Sequence, residues 1–499
     1  MSSDNAAVID RLQAENLMLR ERLALFEGSQ KVEAREQRRR CRTQQEEAFA
    51  AGNGNVSGDD LAVALAEALP SVSHFSKSGL DAYDELPTYP DRPHFDRAPH
   101  HPGTQCVVFN GCSNDPYQPA SMPIYQTATF VQPNIEEFGP YDYTRSGNPT
   151  RTAIEVLVAK LEGAHSAFAF TSGMAALSCV VSTLTQGDHM LAMSDLYGGM
   201  HRLLTQVTAR FGVEVTFIDT SSTTDEASLR DVILSAFIAG RTKLIHVESP
   251  SNPLMKITDL KCLARIATEL GMLVSVDNTM MTPCRCLPLQ LGCHVVMHSG
   301  TKFFSGHSDT MSGFVAVRDA DLARRIAFLQ NAQGTALAPF DCWLVLRGMK
   351  TLSLRVERQE VNAIAVALFL CRQRRFVTRL HFAGVDPRTY GDVSSLSEAD
   401  FLLHHSQASG PGSVISFETG DSALSRRFVD ACSLFKLTVS FGSCNSLVEM
   451  PCLLSHASIP KEKRTLPEDL VRLSIGIEHV EDLIKDLSNA VNVALGGQQ

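Results

Sequence analysis

The sequence predicts an α/β protein: a mainly parallel seven-stranded sheet with helices on both faces, followed by a smaller C-terminal α/β domain. Three observations predict it. Seven short apolar runs recur: "AFAF" from 167, "MLAM" from 190, "VEVTFI" from 213, "LIHV" from 244, "MLVSV" from 272, "HVVM" from 294 and "GFVAV" from 313. Helix-patterned segments lie between most of them, and such alternation gives a parallel sheet covered on both faces. Beyond about residue 350 long helices and a few strands follow, a second domain of about 150 residues. The length of 499 residues, with 44% hydrophobic and 20% charged, allows two or three cores.

In chain order, residues 1–50 are expected to hold an amphipathic helix. Ile9, Leu12, Asn16, Leu19, Leu23 and Phe26 follow heptad spacing, with a polar Asn at an a position and Gly28 as a stop. This is a short coiled coil or a single amphipathic helix, and the charged stretch around "EQRRRCR" is a solvated helix or disorder. Residues 51–105, with "GNGNVSGDD" and "YPDRPHFDRAPHHPG", are expected to be linker or disordered chain. Residues 106–160 are an arm and a helix, whose apolar face is Ile154, Leu157, Val158 and, at its end, Leu161, closed by Gly163. The large domain spans 161–350 and the small one 351–499.

Lys+Arg number 45 and Asp+Glu 55, a net charge of −10, which argues against nucleic acid as a partner. The thirteen cysteines are scattered. Cys284, Cys286 and Cys293 lack the second pair or histidines of a zinc set, so no metal site is expected. Reduced thiols suit a cytosol-like compartment. No apolar run approaches the roughly 20 residues of a membrane helix. The acidic residues near the N-terminus disfavour a transit peptide. The expected location is the cytoplasm, with an organelle left open.

The chemistry gathers at the carboxyl ends of the predicted strands, where open parallel sheets bind ligands. "TSGMAAL" (171–177) follows the first strand and opens a helix. Its backbone N–H groups suit a phosphate and Gly173 permits close approach, or its Thr and Ser are an ordinary cap. In "DLYGG" Tyr197 either stacks on a flat ring or is a half-buried loop tyrosine. In "VDNT" Asp277 is a pyridine partner or a helix cap. In "HSGTK" Lys302 is a loop lysine with its stem along apolar surface, or an amine that forms an imine, with Ser299 and Thr301 beside it to hold a phosphate. Aspartate, lysine, aromatic ring and phosphate-binding turn on one rim together describe a pyridoxal 5'-phosphate (PLP) site. No G-x-G-x-x-G follows the first strand, so a dinucleotide site is not expected.

From about residue 120 to 495 the chain resembles the Cys/Met-metabolism family of fold-type I PLP enzymes, and within it the plant-type cystathionine β-lyases. The motifs are "GPYDYTRSGNPTR", "TSGMAAL", "YGG", "VDNTMMTP", "MHSGTKFFSGHSD", "LAPFDCWLVLRGMKT", "PCLLSHASIP" and "VRLSIGIE". The resemblance implies that Lys302 is the Schiff-base lysine, Asp277 the partner of the pyridine nitrogen and Tyr197 the stacking ring. It implies Gly173, Met174, Ser299 and Thr301 as phosphate ligands. Tyr143 and Arg145 would reach the phosphate of a neighbouring subunit, Tyr143 also lying near the substrate. Arg472 would clamp the substrate α-carboxylate, and Ser440 would position the lysine and that carboxylate.

The implied assembly is a homodimer or homotetramer with shared sites, without nucleic acid or membrane. The implied reaction is β-elimination of a small amino-acid thioether, L-cystathionine, to homocysteine, pyruvate and ammonia, as in methionine biosynthesis. Lys302 would be the base, and Lys302 or Tyr197 the proton donor to the leaving thiolate. Val439 precedes Ser440 where the γ-enzymes of the family carry glutamate, which favours β-chemistry over a cystathionine γ-lyase or γ-synthase. Phe441 departs from some relatives, residues 389–401 look inserted, and the first hundred residues match nothing in the family. A non-catalytic assembly protein acting through the N-terminal helix is the remaining alternative.

Overall fold

A computed structural model describes residues 100–496, except 110, 112–114, 222–224 and 456–465. The heptad segment and nearly all of the expected linker lie outside the described residues. All seven predicted strands form: β1 Ser166–Phe170, β2 His189–Met193, β3 Glu214–Ile218, β4 Thr242–Glu248, β5 Leu273–Asp277, β6 Val295–Ser299 and β7 Gly313–Val317. They make one sheet in the order β1-β7-β6-β5-β4-β2-β3. Only β7 runs against its neighbours.

Residue alternation divides the core. Phe168 and Phe170 of β1, with Val315 and Val317 of β7, enter one apolar cluster, while Ala167, Ala169, Phe314 and Ala316 enter another. Successive side chains of a strand point to opposite faces, so both faces are buried. The helix Pro149–Glu162 covers one face. Asn148 caps it by accepting the Thr150 N–H, Pro149 starts it, and Gly163 ends it at φ 63°. Pro at N1 and a left-handed Gly after the last turn are the favoured ends. A short helix, Pro102–Val108, begins inside the stretch the sequence assigns to linker. Its prolines read as breakers, but Pro102 occupies a first turn, where no N–H is needed, and Cys106 is buried.

The helix Leu352–Arg372 joins the two sheets. Val356 near its start lies in the core of the first, and Ala363, Val366, Ala367 and Leu370 lie in the core of the second. The second sheet contains β8 Arg379–His381, β9 Val414–Glu418, β10 Lys436–Leu437, β11 Leu447–Glu449 and β12 Val471–Ser474, in the order β10-β11-β12-β9-β8. It is antiparallel except where β10 meets β11. Residues 389–401, read as an insertion, run from the end of the short helix Pro387–Tyr390 into the helix Glu398–Gln407.

Candidate active site

The loops leaving β1, β2, β4, β5 and β6 bring the predicted residues together. Asp277 is the last residue of β5, and its Oδ1 accepts the Thr279 N–H at 2.9 Å. It stands beside Glu248, the last residue of β4, in the parallel ladder. Burial raises both carboxyls above the usual range. The Asp277 and Asp195 charges push Glu248 further up, while the Thr279 donors, then the His298 and Lys302 charges, hold Asp277 back. Among the described residues neither has an ion-pair partner. Two adjoining carboxyls with no paired cation suit a ligand that brings positive charge, as a protonated pyridine does.

Tyr197 caps the short helix Gly198–Arg202 and is 39% exposed, a ring facing open space. Its N–H donates to Glu248 Oε1 at 2.8 Å. A Cβ on Gly199 would stand 2.4 Å from the Tyr197 ring and 2.9 Å from Met174 Sδ, so only glycine lets this ring pack there. Ser172 caps the helix Gly173–Val181 by accepting the Ala175 N–H at 3.1 Å. The cap and the phosphate readings of this turn are compatible, because Gly173 and Met174 still offer first-turn N–H groups without helical acceptors. A Cβ on Gly173 would meet Ser299 Cβ at 3.1 Å and Ser299 Oγ at 3.2 Å, so the turn and Ser299 form one narrow cradle. Thr301 lies at its side, its Oγ1 taking the Ser312 N–H at 3.0 Å.

Lys302 follows β6. Its Nζ donates to Ser440 Oγ at 2.7 Å and lies 5.1 Å from the centre of the Phe441 ring. Burial, and then the Arg472 cation, push its pKa down to about 8 against weaker opposition from Glu449 and Asp277. The snorkelling reading therefore fails: the ammonium is held inside, beside another cation. The loop behind it is pinned by Arg355, whose guanidinium donates to the carbonyls of Phe303 at 2.7 Å and Gly348 at 2.8 Å.

Arg472, on β12, is 3% exposed. It donates to Asn252 Oδ1 at 2.9 Å and to the Ser440 carbonyl at 2.6 Å, and it pairs with Glu449. Ser440 thus uses its hydroxyl for Lys302 and its carbonyl for Arg472. It does so at φ 116°, a conformation that costs a non-glycine residue about 1–3 kcal/mol. Burial lowers the Arg472 pKa, with Glu449 opposing.

Tyr143 and Arg145 lie elsewhere. Arg145 stacks on the Tyr143 ring at 5.1 Å and donates to Asn331 Oδ1 at 3.1 Å. Both border a recess of about 370 Å³. Among the described residues neither bonds to the Lys302 group.

Sequence reasoning missed Glu248 and Asn252. The signal was present: "ESPSNP" follows the fourth strand, at the same edge as the other site residues. It also missed Glu449, whose place depends on strand register. Among the described residues no group of acids, histidines or cysteines is arranged to hold a metal.

Residues 103–492 match the family described as Cys/Met metabolism PLP-dependent enzyme. The chain belongs to that family. As a member of the Cys/Met-metabolism enzymes, it is 50% identical over 397 residues to the chloroplastic cystathionine beta-lyase of Mimosa pudica, spanning 79% of this chain and 83% of that one. It is 49% identical over 379 residues to the chloroplastic cystathionine beta-lyase of Arabidopsis thaliana, spanning 75% and 78%. Among solved structures of the family fold, cystathionine gamma-lyase from Lactobacillus plantarum with L-serine superposes with a TM-score of 0.73 at 36% identity, covering 79% of this chain and all (100%) of that one. Membership brings PLP as cofactor, and the cradle, the paired carboxyls and the buried lysine fit it.

Proposed function

We propose that the chain is a carbon–sulfur lyase that cleaves L-cystathionine by β-elimination to L-homocysteine, pyruvate and ammonia. One observation carries this reading. An amine with a pKa near 8, Lys302 Nζ, is held at 2.7 Å by Ser440, whose carbonyl also holds the Arg472 guanidinium. A base and a carboxylate anchor are thereby fixed to one residue.

Asp277 and Glu248 would hold the cationic ring edge of PLP, Tyr197 would cover its face, and Gly173, Met174, Ser299 and Thr301 would hold the phosphate. When bound, PLP supplies the electron sink for the charge left on the substrate Cα. Arg472 binds the substrate α-carboxylate and fixes the amino acid in one orientation. Lys302 Nζ removes the α-proton and carries it to the departing sulfur, so the proton lost by carbon is gained by the thiolate. The Tyr197 hydroxyl is the second candidate donor. The remaining three-carbon fragment is hydrolysed to pyruvate and ammonia. Val439, 49% exposed and next to Ser440, brings an aliphatic side chain and no carboxylate to that position, which supports β- over γ-cleavage.

Product analysis tests this. Pyruvate with homocysteine is expected. Formation of 2-oxobutyrate with cysteine instead means γ-elimination, and a colourless, inert protein means an assembly role.

The working form is a homodimer or homotetramer with shared sites. Tyr143 and Arg145 stand apart from the Lys302 group, and their arm exposes Tyr117, Val131, Ile135 and Phe138. Mixing inactive Lys302→Ala with inactive Arg145→Ala chains restores activity if each site takes Arg145 from its neighbour. The cytoplasm is the proposed compartment. The eleven described cysteines are in no disulfide, and no described helix is long and apolar enough to cross a membrane. The chloroplastic relatives make an organelle the alternative, and localising the chain with and without residues 1–100 separates the two.

A further inference from the structure

We infer that Glu449 is a positioning residue for substrate recognition: it holds the Arg472 guanidinium at the angle from which it meets the α-carboxylate. The inference rests on the reading of Arg472 as carboxylate anchor.

Glu449 and Arg472 are directly opposite each other in the antiparallel β11–β12 ladder. Their side chains are 1% and 3% exposed. Glu449 Oε1 lies 2.6 Å from Arg472 Nη2 and also accepts the Ser455 hydroxyl at 2.9 Å. Backbone ladder and serine therefore fix the acid independently of the arginine. The guanidinium is held at three points: Asn252 takes Nη1, and the Ser440 carbonyl and Glu449 share Nη2. Among the described residues its buried Nε has no acceptor. A buried N–H without a partner is costly and rare in folded proteins. Here it is the donor left for a ligand oxygen, on a group whose other nitrogens are clamped. The Cζ atom lies 5.5 Å from the centre of the Phe441 ring, the same ring that faces Lys302 Nζ, so the free donor belongs to the reaction site.

An alternative role, in which Glu449 merely balances charge, makes a different prediction. A positioning acid acts through the length of its side chain. A charge balancer acts through its sign. Glu449→Asp keeps the charge and withdraws the oxygen from Nη2, and Glu449→Gln keeps the length and removes the charge.

The test titrates the visible absorption of the PLP-loaded enzyme with L-serine and with ethanolamine, its analogue without the carboxylate. The ratio of the two affinities measures carboxylate recognition without turnover, whichever carbon–sulfur bond the enzyme breaks. We expect Glu449→Asp to lose at least fivefold of the wild-type ratio, and Glu449→Gln to lose less than twofold. An unchanged ratio in Glu449→Asp, or a larger loss in Glu449→Gln than in Glu449→Asp, overturns the inference while leaving Arg472 as the anchor. A wild-type enzyme that does not prefer L-serine over ethanolamine overturns both.

Discussion

The two sheets contribute in different ways to one site. The first is mainly parallel, so its loops leave from one edge and their ends converge there. It supplies the Asp277 and Glu248 carboxyls, the Tyr197 ring, the Gly173 turn and Lys302. The second is mostly antiparallel and has no single ligand-binding edge. It supplies side chains from within the ladder, Glu449 and Arg472, and the strained Ser440 in the loop between β10 and β11. On the proposed reading the first sheet would build the cofactor site, and the second would read the substrate and adjust the lysine. Lys302 belongs to the first sheet but is tuned from the second: Ser440 holds its nitrogen, and Arg472 is the charge that lowers its pKa most.

The largest expected effect breaks the contribution of the first sheet. Lys302→Ala removes the amine proposed as the base at the substrate Cα. General acid–base catalysis is worth about a hundredfold to ten-thousandfold, so kcat should fall by a factor of that order. The protein should still bind PLP through the remaining groups, as equilibrium dialysis will show. Substantial residual turnover would assign the proton transfer to Tyr197.

Next in size is Arg472→Lys. A lysine cannot reproduce three-point clamping together with a free donor. Loss of two charge-assisted hydrogen bonds, each about 1.5 kcal/mol or more, lowers kcat/KM about a hundredfold. The loss should appear mainly in KM, because the carboxylate is bound in both ground and transition states. Equal losses in kcat and kcat/KM would mean that Arg472 acts on the reacting bond instead.

A packing change sharpens the comparison further. Phe428 is fully buried against Phe376 and Phe417 in the second core, with ring centres 5.0 and 5.5 Å away. Phe428→Ala should cost about 3–5 kcal/mol of stability, measured by urea unfolding. If the second sheet unfolds separately, cystathionine turnover disappears at lower urea than the yellow colour of bound PLP. Loss of both signals at one urea concentration would show that the long helix Leu352–Arg372 couples the cores into one unit.

The same contrast explains what the sequence revealed. The seven strands of the first sheet are legible because each is a short apolar run and helices separate them. Asp277, Tyr197 and Lys302 are legible because strand ends in such a sheet are where ligands sit. Glu248 and Asn252 obey the same rule and were legible in principle, since "ESPSNP" stands at the end of the fourth strand. The second sheet is less legible. Arg472 and Ser440 emerge only through family resemblance, since a positive φ at a serine leaves no trace in composition. Glu449 requires the β11–β12 register, which joins residues far apart in the chain.

The smallest effect is a pair of opposite shifts in Lys302. With a pKa of about 8, roughly one Lys302 amine in ten is neutral at pH 7, against about one in three thousand for an ordinary lysine. In PLP-free enzyme its labelling by an amine reagent, followed by peptide mapping, should rise through pH 8. The Ser440 hydroxyl accepts from Nζ, and the ammonium is the stronger donor, so this bond favours the charged form. Ser440→Ala should move the midpoint down, by less than about one pH unit for a bond worth about 1 kcal/mol. Arg472→Ala removes the neighbouring cation and should move it up, toward 10.5. Opposite displacements establish that the second sheet tunes the base through two separate contacts. A midpoint that stays fixed in both variants would leave burial in the first sheet as the whole cause.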